Sequence, residues 1–114
     1  MRVNDDDRFR HMYDTAYELM SHVKGREKSD IYSDTLFAKA VLYSLLIIGE
    51  AASGISDEFK KRYQNVDWRR VVGMRNRLIH GYFDINLDIV WDTVKIHIPE
   101  LIKQLEKIIE NEKK

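Results

Sequence analysis

Apolar side chains recur at helical spacing along almost the whole chain, and no stretch alternates as a half-buried strand requires. With one proline and five glycines there is little room for long loops. The 114 residues are most simply read as one domain of packed helices, spanning residues 1–114. The first run, Phe9, Met12, Tyr13, Ala16, Leu19, Met20 and Val23, predicts a helix opening near Asn4 or Asp5. Short polar side chains there cap free amides and suit the positive helix end, and Gly25 is a stop. A polar connection through Lys28 and Ser29 leads to Ser33 or Asp34, the cap of a second helix over Thr35–Ser53. That helix is apolar on most sides and is expected to be the most buried element. Ser56 or Asp57 opens a shorter helix through Phe59 and Tyr63. Asp67 caps the next, from Trp68 to about Gly81, with Val71, Val72, Met74, Leu78 and Ile79 inward. Residues 84–86 read as a turn, and a last helix runs from Leu87 toward Asn111, bent at Pro99. The charged residues 110–114 are expected to fray. The expected fold is an all-α, up-and-down bundle of four or five helices.

Composition excludes more than it identifies. Nineteen basic and nineteen acidic side chains cancel, so net charge does not point to nucleic acid. The absence of cysteine excludes a disulfide framework and cysteine-based zinc sites and fits the cytoplasm. The longest apolar run, residues 40–49, is interrupted by Tyr43 and Ser44 and falls short of the ~20 residues that span a bilayer. Asn4-Asp5-Asp6-Asp7 is acidic where a signal peptide is basic and then apolar. A soluble, cytoplasmic protein with no membrane partner is expected. His11 and His22 lie about 16 Å apart along one helix, too far to share a metal. No clustered ligand set is visible, so neither metal nor cofactor is expected.

Charge is nevertheless unevenly placed. Lys60, Lys61, Arg62, Arg69, Arg70, Arg75 and Arg77 fall in residues 60–77, with Asp67 the only acid among them. Such a run is either a solvated helix face or a phosphate-facing surface. It leads directly into Arg75-Asn76-Arg77-Leu78-Ile79-His80-Gly81-Tyr82. Arginine keeps its charge and grips phosphate through a planar fork, while histidine takes and gives a proton near neutrality. These are the groups with which a metal-free enzyme cleaves a phosphodiester, by attack of an RNA 2′-hydroxyl on the adjacent phosphorus. His80 would serve as general base or acid, Arg75 would stabilise phosphoryl charge, and Asn76 and Arg77 would support them. Residues five apart on a helix diverge by about 140°, so Arg75 and His80 of one copy do not aim at one point. Asn76 and His80 share a face. Two copies about a two-fold axis would bring two arginines and two histidines to one cleft. The plainer alternatives are a histidine favoured by the negative end of a helix and a packing tyrosine at Tyr82. Glu50, in an apolar helix, is either a buried acid with a role at the dimer or the active cleft or a partly exposed structural carboxylate. Trp68 and Trp91 read as core or dimer contacts, and His97 as solvated or packed.

At these residues the chain resembles the HepT-like proteins, a branch of the HEPN superfamily. Arg75-x4-His80-x-Tyr82 matches their R-x4-H-x-Y signature. Leu46-Ile47-Ile48-Gly49-Glu50-Ala51-Ala52 is similar to an "IIGEAA" helix segment, and Val66-Asp67-Trp68-Arg69 through Gly73-Met74-Arg75-Asn76 to a "WR…GMRN" approach. Leu87-Asp88-Ile89-Val90-Trp91 and Ile98-Pro99-Glu100-Leu101 resemble the family's last helix. The resemblance implies an all-helical homodimer acting as the RNase toxin of a toxin–antitoxin pair. The implied antitoxin is a small MntA-type nucleotidyltransferase that transfers AMP from ATP onto the motif tyrosine. It makes Arg75 and His80 the catalytic pair, Asn76 a supporting residue and Tyr82 the AMPylation acceptor. The alternative is a non-catalytic HEPN module that binds substrate or nucleotide for such a nucleotidyltransferase.

Overall fold

The computed structural model describes residues 4–81 and 84–114. Its elements are α1 (Asp5–Val23), α2 (Lys28–Ser33), α3 (Thr35–Ser53), α4 (Asp57–Arg62), α5 (Trp68–His80), α6 (Leu87–Asp92) and α7 (Ile98–Glu112), with a π-helical turn over Thr93–His97 joining the last two. The all-α bundle expected from periodicity is what forms. α1, α3, α5 and the run through α6 and α7 are its long members, and α2 and α4 are short connectors.

Most boundaries follow local chemistry. Asn4 caps α1 by accepting from the Asp7 amide, Asp34 caps α3 through Phe37, Ser56 caps α4 through Phe59, and Asp67 caps α5 through Arg70. Gly25 takes φ +81° in the turn that follows α1, a conformation open to glycine. The expected polar connection at Lys28 and Ser29 is itself helical: Glu27 and Asp30 form a reciprocal capping box around α2. The irregularity expected at Pro99 instead precedes it. Proline has no N–H for the Lys95 carbonyl, so the preceding turn can widen, and the Ile98 amide bonds to the Thr93 oxygen, a π register. Into the charged end, where fraying is expected, α7 continues to Glu112, and Lys113 follows as its cap.

α3 packs chiefly against α1 and α5. Phe9, Met12, Ala16, Leu19 and Val23 of α1 meet Val41, Leu45, Ile48 and Ala52 of α3, closed below by Leu101, Leu105 and Ile108 of α7. By length and composition α3 would match a membrane span, but here its apolar faces build the core. It is not buried all round: Leu36 is 78% exposed and Tyr43 64%. α5 departs further, because of its residues only Trp68 is buried, and Ile79, expected inward, is 44% exposed. Trp68 anchors the start of α5 against Phe59 and donates its indole N–H to the Tyr63 carbonyl at 2.9 Å. Trp91 is likewise a buried core residue.

Candidate active site on helix α5

Arg75 occupies its place because α3 has a glycine opposite it. A Cβ on Gly49 would stand 2.2 Å from the Cβ of Arg75, so the two helices meet there only because one side chain is missing. The next residue of α3, Glu50, accepts a hydrogen bond and ion pair from Nε of Arg75. On the other side Nη1 of Arg75 donates to Oδ1 of Asn76 at 2.8 Å. The guanidinium is thus half-buried and held by two acceptors, which leaves its remaining donors aimed in a set direction. Glu50 is exposed, as one of the two sequence readings held, and its carboxylate holds the Arg75 guanidinium. Neither Gly49 nor this pairing was legible beforehand. The available signal was a glycine in the middle of an apolar helix, where it weakens the helix unless close approach requires it.

His80 sits at the last position of α5, exposed, with no hydrogen-bond partner among the described residues. It lines a cavity of about 490 Å³ floored by Leu45, Met74, Leu78, Ile85 and Val90. Arg75 does not line that cavity and makes no hydrogen bond to His80. One copy of the chain therefore does not converge the pair, as the helical geometry required. Asn76, which touches Arg75 and shares the face of His80, is the nearest thing to a bridge between them. Arg77 is exposed and lines both this cavity and an adjoining one of about 390 Å³. Tyr82 lies outside the described residues.

The basic segment divides in two. On α4, Arg62 is bound up with Glu58 at 3.6 Å and Glu112 at 3.8 Å. On α5, Arg69, Arg70 and Arg77 form no ion pair among the described residues. His97, expected to be solvated or packed, is half-buried on the π turn, and its Nε2 accepts from Arg70. Nδ1 of the same ring is buried without a partner among the described residues. Among those residues no group of three or more histidines or acids is placed to hold a metal ion.

Comparison with known proteins is consistent over nearly the whole chain. The sequence profile described as "Ribonuclease HepT-like" matches residues 12–108. The chain is 39% identical over 103 residues to "Putative RNase TTE0752" of Caldanaerobacter subterraneus subsp. tengcongensis, covering 90% of this chain and 92% of that one. It is 33% identical over 93 residues to "Putative RNase MJ1380" of Methanocaldococcus jannaschii, covering 82% and 85%. With "Probable ribonuclease HepT" of Thermococcus cleftensis it shares 39% identity over 79 residues, covering 69% and 72%. No solved structure matches.

Proposed function

The chain belongs to the HepT-like ribonucleases of the HEPN superfamily, and from that premise we propose that it is a metal-independent endoribonuclease toxin working as a homodimer. The observation that carries the reading is the geometry of α5. An arginine is locked in place by Glu50 and Asn76, and an exposed histidine without a hydrogen-bond partner among the described residues stands on the same helix, beside three exposed arginines that form no ion pair among those residues. The 2′-oxygen of RNA attacks the adjacent phosphorus while the bond to the 5′-oxygen breaks, leaving a 2′,3′-cyclic phosphate and a 5′-hydroxyl. His80 of one copy takes the 2′-hydroxyl proton, and His80 of the other gives a proton to the departing oxygen. Arg75 neutralises charge on the phosphoryl oxygens, supported by Asn76 and Arg77.

The surface supports the dimer. On α3 the outward positions Leu36, Ala40, Tyr43, Ile47 and Glu50 repeat every three to four residues and form an apolar seam that ends beside Arg75. A second copy on that seam would place both Glu50–Arg75 pairs at one cleft. We further infer that an MntA-type nucleotidyltransferase silences the protein in the cytoplasm. The oxygen of Tyr82 attacks the α-phosphorus of ATP, pyrophosphate leaves, and the added AMP repels RNA from the cleft. The pairing of Arg75 with Glu50 favours a second reading, a binding module without cleavage, because a guanidinium already holding a carboxylate has less charge for phosphate.

One experiment separates the two. Protein shown by mass spectrometry to carry no AMP on Tyr82 is incubated with RNA in the presence of a chelator, beside His80→Ala. Cleavage by the wild type that falls at least about 10²-fold in the variant, the usual contribution of a general acid–base group, supports the nuclease. Intact RNA across varied substrates would replace it with the binding module.

A further inference from the structure

The middle of α5 carries a glycine that the fold does not use. A Cβ built on Gly73 meets nothing within 4 Å among the described residues, and its φ is not positive. Glycine inside a helix costs about 1 kcal/mol relative to alanine. Among the described residues nothing offsets that loss here, in contrast with Gly49, where a Cβ would strike Arg75. What the missing side chain provides is bare helix surface that another molecule can approach closely.

The surroundings identify that molecule. Arg69, Gly73, Asn76, Arg77 and His80 follow at helical spacing on one outward face, and all but the half-exposed Gly73 are exposed. Arg70 flanks the same face and contacts a ring nitrogen of His97 rather than a carboxylate. Arg69, Arg70 and Arg77 are unpaired among the described residues, and a guanidinium matches phosphate geometry. Across the adjoining groove stand Asp92 and Glu100, on α6 and α7, which keep an anion out of its depth and on the outer face. Charge on this face therefore favours a polyanion over the apolar surface of another protein.

Building on the ribonuclease reading, we propose that the RNA sugar–phosphate backbone crosses α5 at Gly73. Arg69, Arg70 and Arg77 hold phosphates on either side of the crossing, and His80 lies two turns further along at the bond that is cut. The glycine sets how closely the strand can approach.

The test uses a fluorescent single-stranded 2′-O-methyl oligonucleotide, which binds but cannot be cut, read by anisotropy. Thermal melting and sedimentation are measured on the same proteins, and cleavage of unmodified RNA is followed in parallel. Gly73→Ala should melt at or above the wild-type temperature, keep its assembly state and bind about tenfold more weakly, as for loss of one charge-assisted hydrogen bond. Arg70→Gln should reduce the slope of log affinity against log salt by about 0.7, one single-strand phosphate contact. Wild-type affinity in both variants, or no binding by the wild type, overturns the proposal. So does a changed assembly state in Gly73→Ala, since the bare surface would then belong to a second copy. Binding without cleavage by the wild type would instead defeat the ribonuclease reading, leaving the crossing to be judged on affinity alone.

Discussion

At the scale of single residues, two helical glycines carry opposite meanings that only their neighbours reveal. Gly49 lets α3 and α5 touch where Arg75 departs, and Gly73 stands on open ground. Gly49→Ala should therefore lower stability by about 1–3 kcal/mol, the usual cost of overpacking, despite alanine's better helix propensity. Chemical denaturation would show it, and the same change at Gly73 should move the midpoint the other way or not at all. The residues of the Arg75–His80 motif were legible in the sequence because their chemistry is distinctive. Glu50 was legible only as an acid in an apolar helix, with two roles open. Its partner, Arg75, lies twenty-five residues away on another helix, and no local pattern connects them.

Among the elements, most helix starts were readable because a capping side chain declares itself within three residues of the amide it satisfies. α2 was not, since a six-residue helix made of Lys28-Ser29-Asp30-Ile31-Tyr32-Ser33 has a single buried apolar residue to show periodicity. Its attachment has a pH signature. The Tyr32 hydroxyl donates to Asp88 at the start of α6, and Lys28 pairs with the same carboxylate at 3.3 Å. The hydrogen bond from Tyr32, followed by Lys28, holds Asp88 below its usual 3.8, and the same bond raises Tyr32 above 10.0. A lowered carboxylate stabilises the fold above its unfolded pKa and loses that contribution as pH falls through the folded one. A raised phenol contributes below its unfolded pKa and loses it as pH rises through the folded one. The tie between α2 and α6 is therefore complete from about pH 4 to 10. The stability difference between wild type and Tyr32→Phe, followed by urea unfolding, should be flat across that window and shrink on both sides of it.

For the whole molecule, the decisive feature is what the bundle leaves uncovered. The described residues have a radius of gyration of 14.2 Å and extents of 45 × 29 × 26 Å, more elongated than the roughly 13 Å of a typical domain of this length. Leu36 and Tyr43, on the α3 seam that ends at Glu50 and Arg75, remain exposed. A homodimer on this seam should sediment at twice the chain mass. Tyr43→Glu, which places a like charge on both copies at the seam, should yield a folded monomer with unchanged helical circular dichroism and lost RNA cleavage. A variant that stays dimeric and active would move the interface elsewhere.

Sequence alone determined that this chain is an all-α bundle and where most of its helices begin, and it singled out Arg75, Asn76 and His80 as candidates by their chemistry. Periodicity, capping and side-chain chemistry are local properties, readable within a turn or two of the chain. It could not determine which apolar positions on α3 and α5 stay open, because both faces of a helix can be apolar and only the packing decides which one finds a partner. The clamp on Arg75, the seating of His97 under Arg70 and the contrast between Gly49 and Gly73 belong to the tertiary structure. Each depends on which helix lies across from which, at separations of a few ångströms that residue order does not encode.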